Sequence, residues 1–152
     1  MPIEKNYEKI LRRAVEKGPY YQLLGITLEE IDIGLTRFRM PYKKELTQIF
    51  GEVHGGAIAS LADTSVAFAL MTLIQPGERV ATVEFKINFF KRVNGGEIFG
   101  EAKIVKKGKQ LATADIEIKN EKGDLIAKGM ATYVISGFPK PGDKRFADVL
   151  PL

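Results

Sequence analysis

Two features in one apolar stretch of the chain could do chemistry. The first is Asp63, in the middle of Ala57-Ile-Ala-Ser-Leu-Ala-Asp-Thr-Ser-Val-Ala-Phe-Ala, with Ala59, Ser60, Val66 and Ala67 three and four positions away. An ionised carboxylate buried without partners is costly, so an acid here is either paired or functional. Pairing would mean bonds to Ser60, Thr64 or a backbone amide across an interface. Function would mean a general base or a nucleophile in a partly apolar cleft. The second feature is His54-Gly55-Gly56, just before the same stretch. Two glycines at a helix start cost stability but let another group approach the free backbone N–H donors, which with the helix dipole stabilise negative charge on an acyl oxygen. His54 is the sole histidine, and it reads as a residue satisfying backbone groups at the helix start in preference to a proton carrier.

Other chemistries fit poorly. The chain has no cysteine, hence neither a thiolate nor a disulfide. No serine lies in a nucleophile-elbow sequence, and one histidine without cysteine supplies too few ligands for a metal, so none is expected. Spacing adds a constraint. Gly55 and Asp63 are eight residues apart, about 12 Å along a helix, too far for both to act on one carbonyl from the same helix. Either they are unrelated, or the acid comes from a second, antiparallel subunit, and two-fold symmetry then gives two equivalent sites per dimer.

The elements that must position these residues follow from periodicity. Residues 3–17 form an amphipathic helix with Tyr7, Ile10, Leu11 and Ala14 on one face, closed by Gly18-Pro19. Residues 20–25 read as an apolar connector. Ile26 to Ile33 and Leu35 to Met40 read as strands about Gly34, and Tyr42 to Val53 as a loop. Gly55 to Ile74, apolar on nearly all sides and closed by Pro76-Gly77, is the buried core helix. Beyond it the pattern alternates: Val83, Phe85, Ile87 and Phe89 share a strand face opposite Glu84, Lys86 and Asn88. Further strands span Ile98 to Val105, Leu111 to Lys119 and Leu125 to Ile135, separated by turns at Gly95-Gly96, Gly108 and Lys122-Gly123-Asp124. Tight turns predict that the last four strands are antiparallel neighbours in chain order. The predicted class is α+β, a curved antiparallel sheet wrapped around one long central helix. It forms a single domain with its core over residues 25–135 and a C-terminal arm over 136–152.

Composition agrees with a soluble protein of 152 residues, 45% hydrophobic and 28% charged. The N-terminus has early acids and no apolar run before a small-residue site, so it is no secretory signal, and no segment is long enough to span a bilayer. The expected location is cytoplasmic. The net charge of +4 does not imply a nucleic-acid partner, because the basic residues are interleaved with acids along the chain. Lys91-Arg92 and Lys106-Lys107-Gly108-Lys109 are either solvated strand ends or attractors for phosphates on a small ligand.

Taken with these residues, the sequence resembles the hot-dog thioesterases, in particular the phenylacetic-acid-degradation type and the hydroxybenzoyl-CoA thioesterase group. The resemblance rests on Val53-His-Gly-Gly-Ala-Ile-Ala-Ser-Leu-Ala-Asp-Thr, on Ala81-Thr-Val-Glu-Phe-Lys-Ile-Asn-Phe-Phe-Lys-Arg and on Val105-Lys-Lys-Gly-Lys, and it extends from about Gly25 to Ile135. It implies a hot-dog fold in which Asp63 activates water or attacks the thioester carbon and the Gly55 amide polarises the carbonyl. His54 orients that region, and Thr82 holds water or the carboxylate. Where such enzymes commonly carry Asn, six residues before the His, this chain has Gln48, whose carboxamide sits one methylene further out. The resemblance further implies an acyl-CoA substrate bound at a subunit interface, with Gly56 beside the carbonyl and Lys91, Arg92, Lys106, Lys107 and Lys109 near the phosphates. Phe50, Phe68, Met71 and Phe90 are candidates for an acyl pocket or for core packing.

The expected function is hydrolysis of acyl-CoA by a homo-oligomer, a dimer or a dimer of dimers, with no cofactor beyond the CoA of the substrate. Two other readings on the same fold are a non-catalytic acyl-CoA binder and an enoyl-CoA hydratase or dehydratase. The first would normally bring an additional DNA-binding segment. The second needs a histidine and an acid placed to move protons at adjacent carbons of the substrate, which a single histidine beside Gly55-Gly56 fits poorly.

Overall fold

A 17-residue helix, α3 (Gly55–Met71), is the centre of the structure. The computed structural model describes residues 3–75 and 77–137. In α3, Leu61, Ala62, Val66, Phe68, Ala69 and Leu70 are all buried, as an all-round apolar sequence requires. The helix stops short of the predicted Ile74. Thr72 leaves the helical ladder, its hydroxyl donating to Ala69 O at 2.7 Å and accepting from the Gly34 N–H at 2.7 Å.

Ahead of it come α1 (Lys5–Lys17) and α2 (Pro19–Leu24), strands β1 (Thr27–Asp32) and β2 (Leu35–Pro41), and a 3-10 turn at Lys44–Leu46. Glu4 caps α1 through Asn6 and Tyr7, so Ile3, predicted inside the helix, is a buried residue preceding it. The predicted connector over 20–25 is instead the helix α2. Pro19 fits the first turn of a helix, and Gly25 closes it in the left-handed region at φ 73°. After α3 follow β3 (Arg79–Phe89), β4 (Glu97–Lys107), β5 (Leu111–Asn120) and β6 (Leu125–Ser136). Of the expected C-terminal arm, Ser136 still belongs to β6, and residues 138–152 lie outside those described.

The strands form one antiparallel sheet in the order β1-β2-β4-β5-β6-β3. This confirms the α+β hot-dog arrangement and corrects one predicted adjacency. β3 and β4 are not a hairpin: β2 takes the place beside β4, and β3 crosses to pair with β6 at the sheet edge. Gly95-Gly96 therefore ends a crossover. Register shifts in β1, β3, β4 and between β5 and β6 bend the sheet around α3.

The irregularity in β3 matters most. Pairing runs Thr82↔Tyr133, then Glu84↔Thr132 and Phe85↔Ala131, leaving Val83 as the extra residue. Since directly opposed residues share a face, Thr82 and Phe85 both point inward with Tyr133 and Ala131. The predicted alternation holds for Phe85, Ile87 and Phe89 but not for Val83, which is 59% exposed.

The helix lies close on the sheet. A Cβ at Gly100 on β4 would come within 2.6 Å of Ser65 Oγ and 3.2 Å of Leu61 Cγ. Ser65 is buried and donates to Leu61 O at 2.8 Å, while Thr36 donates to Ser65 O at 2.7 Å. Phe68 meets Phe38 and Tyr21 edge-on at 5.4 and 5.7 Å. Gly100→Ala is expected to lower unfolding free energy by about 1–3 kcal/mol through overpacking. Adding Ser65→Ala should recover part of that loss in denaturant titrations.

Candidate active site

Asp63 lies on the side of α3 that faces β3 and β6. Its carboxylate accepts from the Thr82 hydroxyl, at 2.9 Å to Oδ1 and 3.1 Å to Oδ2, and from the Tyr133 hydroxyl at Oδ1. Tyr133 also donates to the Asp63 backbone carbonyl at 2.7 Å. The acid is thus paired, but not with the Ser60 or Thr64 that its own helix offers. Ser60 donates to Gly56 O and meets the Tyr20 hydroxyl. Both partners of Asp63 are strand hydroxyls, and the Val83 bulge puts Thr82 in reach. Tyr133 escaped the sequence reading. A tyrosine in the inward row of β6, between Ala131 and Ile135, needs a partner for its hydroxyl, and that need was the available signal.

Burial first, and the Asp63 carboxylate next, hold the Tyr133 phenol far above its usual value of 10.0. Tyr21, on α2, is also raised, by burial and then by the charge of Asp63. The carboxylate therefore sits among phenols that stay protonated.

At the other end of the helix, His54 is exposed and extended, with φ −61° and ψ 136°. Its Nδ1 accepts the Gly56 N–H at 2.8 Å, and its own N–H is bonded to Leu46 O. This is the helix-capping role expected for it. A Cβ at Gly56 would lie 2.9 Å from that nitrogen, so glycine there keeps the cap intact. With Gly56 taken by the histidine, the Gly55 N–H has no acceptor among the described residues. The Phe89 ring lies 3.3 Å from where a Gly55 Cβ would be. Gly55 and Asp63 therefore both border β3, one near each end of that strand.

The remaining predicted residues divide. Gln48 Oε1 accepts the Phe50 N–H and its Nε2 donates to Glu52 at 3.3 Å, so its carboxamide shapes the loop across the Thr47–Val53 bridge. Phe50 is 79% exposed on that loop and Phe90 is exposed after β3, whereas Phe68 is core and not pocket lining. Lys91 pairs with Asp124, and Arg92 lies 3.6 Å from Glu52. Lys106, Lys107 and Lys109 are exposed and make no ion pair among the described residues. Lys106 and Lys109 border a shallow depression of about 340 Å³ with Gln110 and Thr113. Among the described residues no helix is long and apolar enough to cross a membrane.

A protonated phenol anchoring an acid near one end of an edge strand, and a free amide at a glycine helix start near the other, suit acyl chemistry. Comparison with known proteins gives the class. The thioesterase-superfamily profile matches residues 50–127, which include the helix-start glycines, Asp63 and Thr82. A relative from Archaeoglobus fulgidus with a provisional esterase name is 36% identical over 135 residues, covering 87% of this chain and 86% of that one. The proofreading thioesterase EntH of Klebsiella pneumoniae is 32% identical over 100 residues, covering 66% of this chain and 73% of that one. The crystal structure of a thioesterase family protein from Silicibacter pomeroyi superposes with a TM-score of 0.80 at 28% identity, covering 86% and 98%. The chain belongs to the thioesterase superfamily. It is a hot-dog thioesterase, and the reaction is hydrolysis of a thioester.

The raised Tyr133 phenol has a consequence for stability. Above about pH 10 an unfolded tyrosine ionises, while Tyr133 in the folded chain keeps its proton. The folded state then binds more protons, and stability falls as pH rises. Wild-type unfolding free energy should decline on going from pH 9 to pH 11, in the range set by the ordinary tyrosine pKa of about 10. In Tyr133→Phe the decline should be shallower, measured by urea titration at each pH.

Proposed function

We propose that the thioester is an acyl-CoA and that each active site is shared between two subunits. The carbonyl oxygen accepts the Gly55 N–H at the start of one α3, and Asp63 comes from the α3 of the second subunit. The observation that carries this reading is the placement of both residues along β3. β3 is a terminal strand of the sheet, eleven residues long, with Val83 and Phe89 exposed. A long edge strand with apolar side chains invites pairing with another chain. A two-fold axis near the Phe85-Lys86 step of an antiparallel β3–β3 pair exchanges the strand's two ends. Thr82 and Asp63 of one subunit then lie opposite Phe89 and Gly55 of the other. That arrangement removes the separation of about 12 Å along a single helix and requires at least a dimer.

In the reaction, negative charge builds on the carbonyl oxygen against the Gly55 amide and the positive end of α3. Asp63 either takes a proton from the water that attacks the carbonyl carbon or attacks that carbon itself, forming an anhydride that water opens. In both routes the C–S bond breaks, the thiol of CoA leaves with a proton, and the free acid is released. His54, occupied at Nδ1 by Gly56, holds the helix start in shape. Lys106 and Lys109, which pair with no carboxylate among the described residues, suit the phosphates of CoA better than Lys91, which is engaged by Asp124. The CoA is substrate, and the chemistry as written needs no other cofactor.

Thiol release from a panel of acyl-CoAs tests this reading. Asp63→Asn should lower kcat about 10²–10⁴-fold. Compared with Gly55→Ala, which adds a Cβ 3.3 Å from the Phe89 ring but keeps the N–H, Gly55→Pro deletes that N–H at a position where proline suits the first helical turn and the preceding His54 is already extended. It should lower kcat by about 10²–10³. An Asp63→Asn enzyme with wild-type turnover would remove the acid from the mechanism.

A further inference from the structure

The two oxygens of Asp63 are held unequally. Oδ1 accepts both the Tyr133 hydroxyl and the shorter arm of the Thr82 hydroxyl, at 2.9 Å. Among the described residues, Oδ2 meets only the longer arm, at 3.1 Å, of a proton already shared with Oδ1. The two hydroxyls rise from directly opposed positions, since Thr82 pairs with Tyr133 across β3 and β6. Small Ala112 sits on the other side of Tyr133 in the register. Tyr133 is 2% exposed, so its hydroxyl has no access to a substrate from solvent. One bond to the Asp63 backbone carbonyl, which it makes at 2.7 Å, would already satisfy a buried phenol. That one proton is instead divided between the carbonyl and Oδ1, which ties the carboxylate to its own backbone and fixes the side chain relative to the helix.

We propose that Tyr133 is a positioning residue of the thioesterase reaction, locking Oδ1 of Asp63 together with Thr82 and leaving Oδ2 as the oxygen that meets water or the thioester carbon. The inference rests on Asp63 being the catalytic acid. An unanchored aspartate turns about two side-chain bonds, and a misplacement of about 1 Å at a reacting group costs on the order of 10²-fold in rate. Tyr133 does not touch the substrate, so its loss affects kcat and leaves KM alone.

The test is steady-state hydrolysis of an acyl-CoA that the wild type turns over, by Asp63→Asn, Tyr133→Phe, Thr82→Val and the Tyr133→Phe/Thr82→Val double variant, each with its thermal midpoint. Tyr133→Phe should lower kcat about 10–100-fold with KM unchanged. The double variant should lose less than the product of the single losses, because both hydroxyls hold one oxygen. A folded Tyr133→Phe enzyme that keeps kcat within about twofold of wild type, or that loses only thermal stability or only KM, overturns the proposal. If Tyr133→Phe does not fold, Thr82→Val decides: a tenfold fall in kcat at constant KM supports the shared anchor, and an unchanged kcat refutes it. Asp63→Asn separates the two levels. Full activity there sinks the catalytic acid itself, whereas an inactive Asp63→Asn beside a fully active Tyr133→Phe sinks only the anchoring role.

Discussion

A half-buried carboxylate on a helix that is apolar around most of its circumference needs protein donors beside the water that reaches it. Here those donors are Tyr133 and Thr82, and much of the architecture is arranged to deliver those two hydroxyls. β3 must cross the molecule to lie beside β6 and not beside β4. It must carry one extra residue, so that Thr82 and Phe85 share its inner face. The tyrosine must sit where burial keeps it protonated, because an ionised phenol next to an ionised acid would repel it. Remove any of these and the acid loses a donor on its buried side, at a cost in free energy.

The same placement explains why the helix begins as it does. Gly55 and Gly56 have different tasks. Gly56 makes room for the His54 cap, and Gly55, beneath the Phe89 ring, keeps an N–H with no acceptor among the described residues. The outer face of the sheet has no such features. There Arg37, Arg39, Glu97, Glu101 and Lys119 form a lattice of half-exposed ion pairs, with Arg37 stacked 4.1 Å from the Phe99 ring. Each such pair contributes at most about 1 kcal/mol. That face is built to be wet, which leaves the β3 edge, where Val83 and Phe89 are exposed, as the border of the sheet next to the reacting groups.

Much of this was legible in the residues. An all-round apolar helix, a glycine start capped by a histidine and an acid out of place in mid-helix identified α3, Gly55 and Asp63, because each breaks a local rule. What stayed hidden was set by long-range pairing. No periodicity tells β3 to prefer β6 over β4, and a bulge disguises itself as regular alternation, so Val83 was read as an inward residue. Tyr133 lay inside the last predicted strand with nothing to single it out until that strand was placed beside Thr82. The short helix α2 was missed because six residues are too few to show a period, although Pro19 and Gly25 marked both of its ends. Gln48 illustrates the converse: the side chain is present at the expected spacing, and the loop uses its carboxamide for its own hydrogen bonds.

The central claim is that the acid and the amide of one site belong to different chains, and subunit mixing tests it directly. Asp63→Asn and Gly55→Pro subunits, each inactive alone, are unfolded, combined in equal amounts and refolded. Random pairing makes half of the dimers mixed, and each mixed dimer carries one site with both native residues. The account predicts recovery of about one quarter of wild-type turnover. A mixture that stays as inactive as its two parents, with mixed dimers demonstrably formed, would place both residues of a site in the same chain and contradict it.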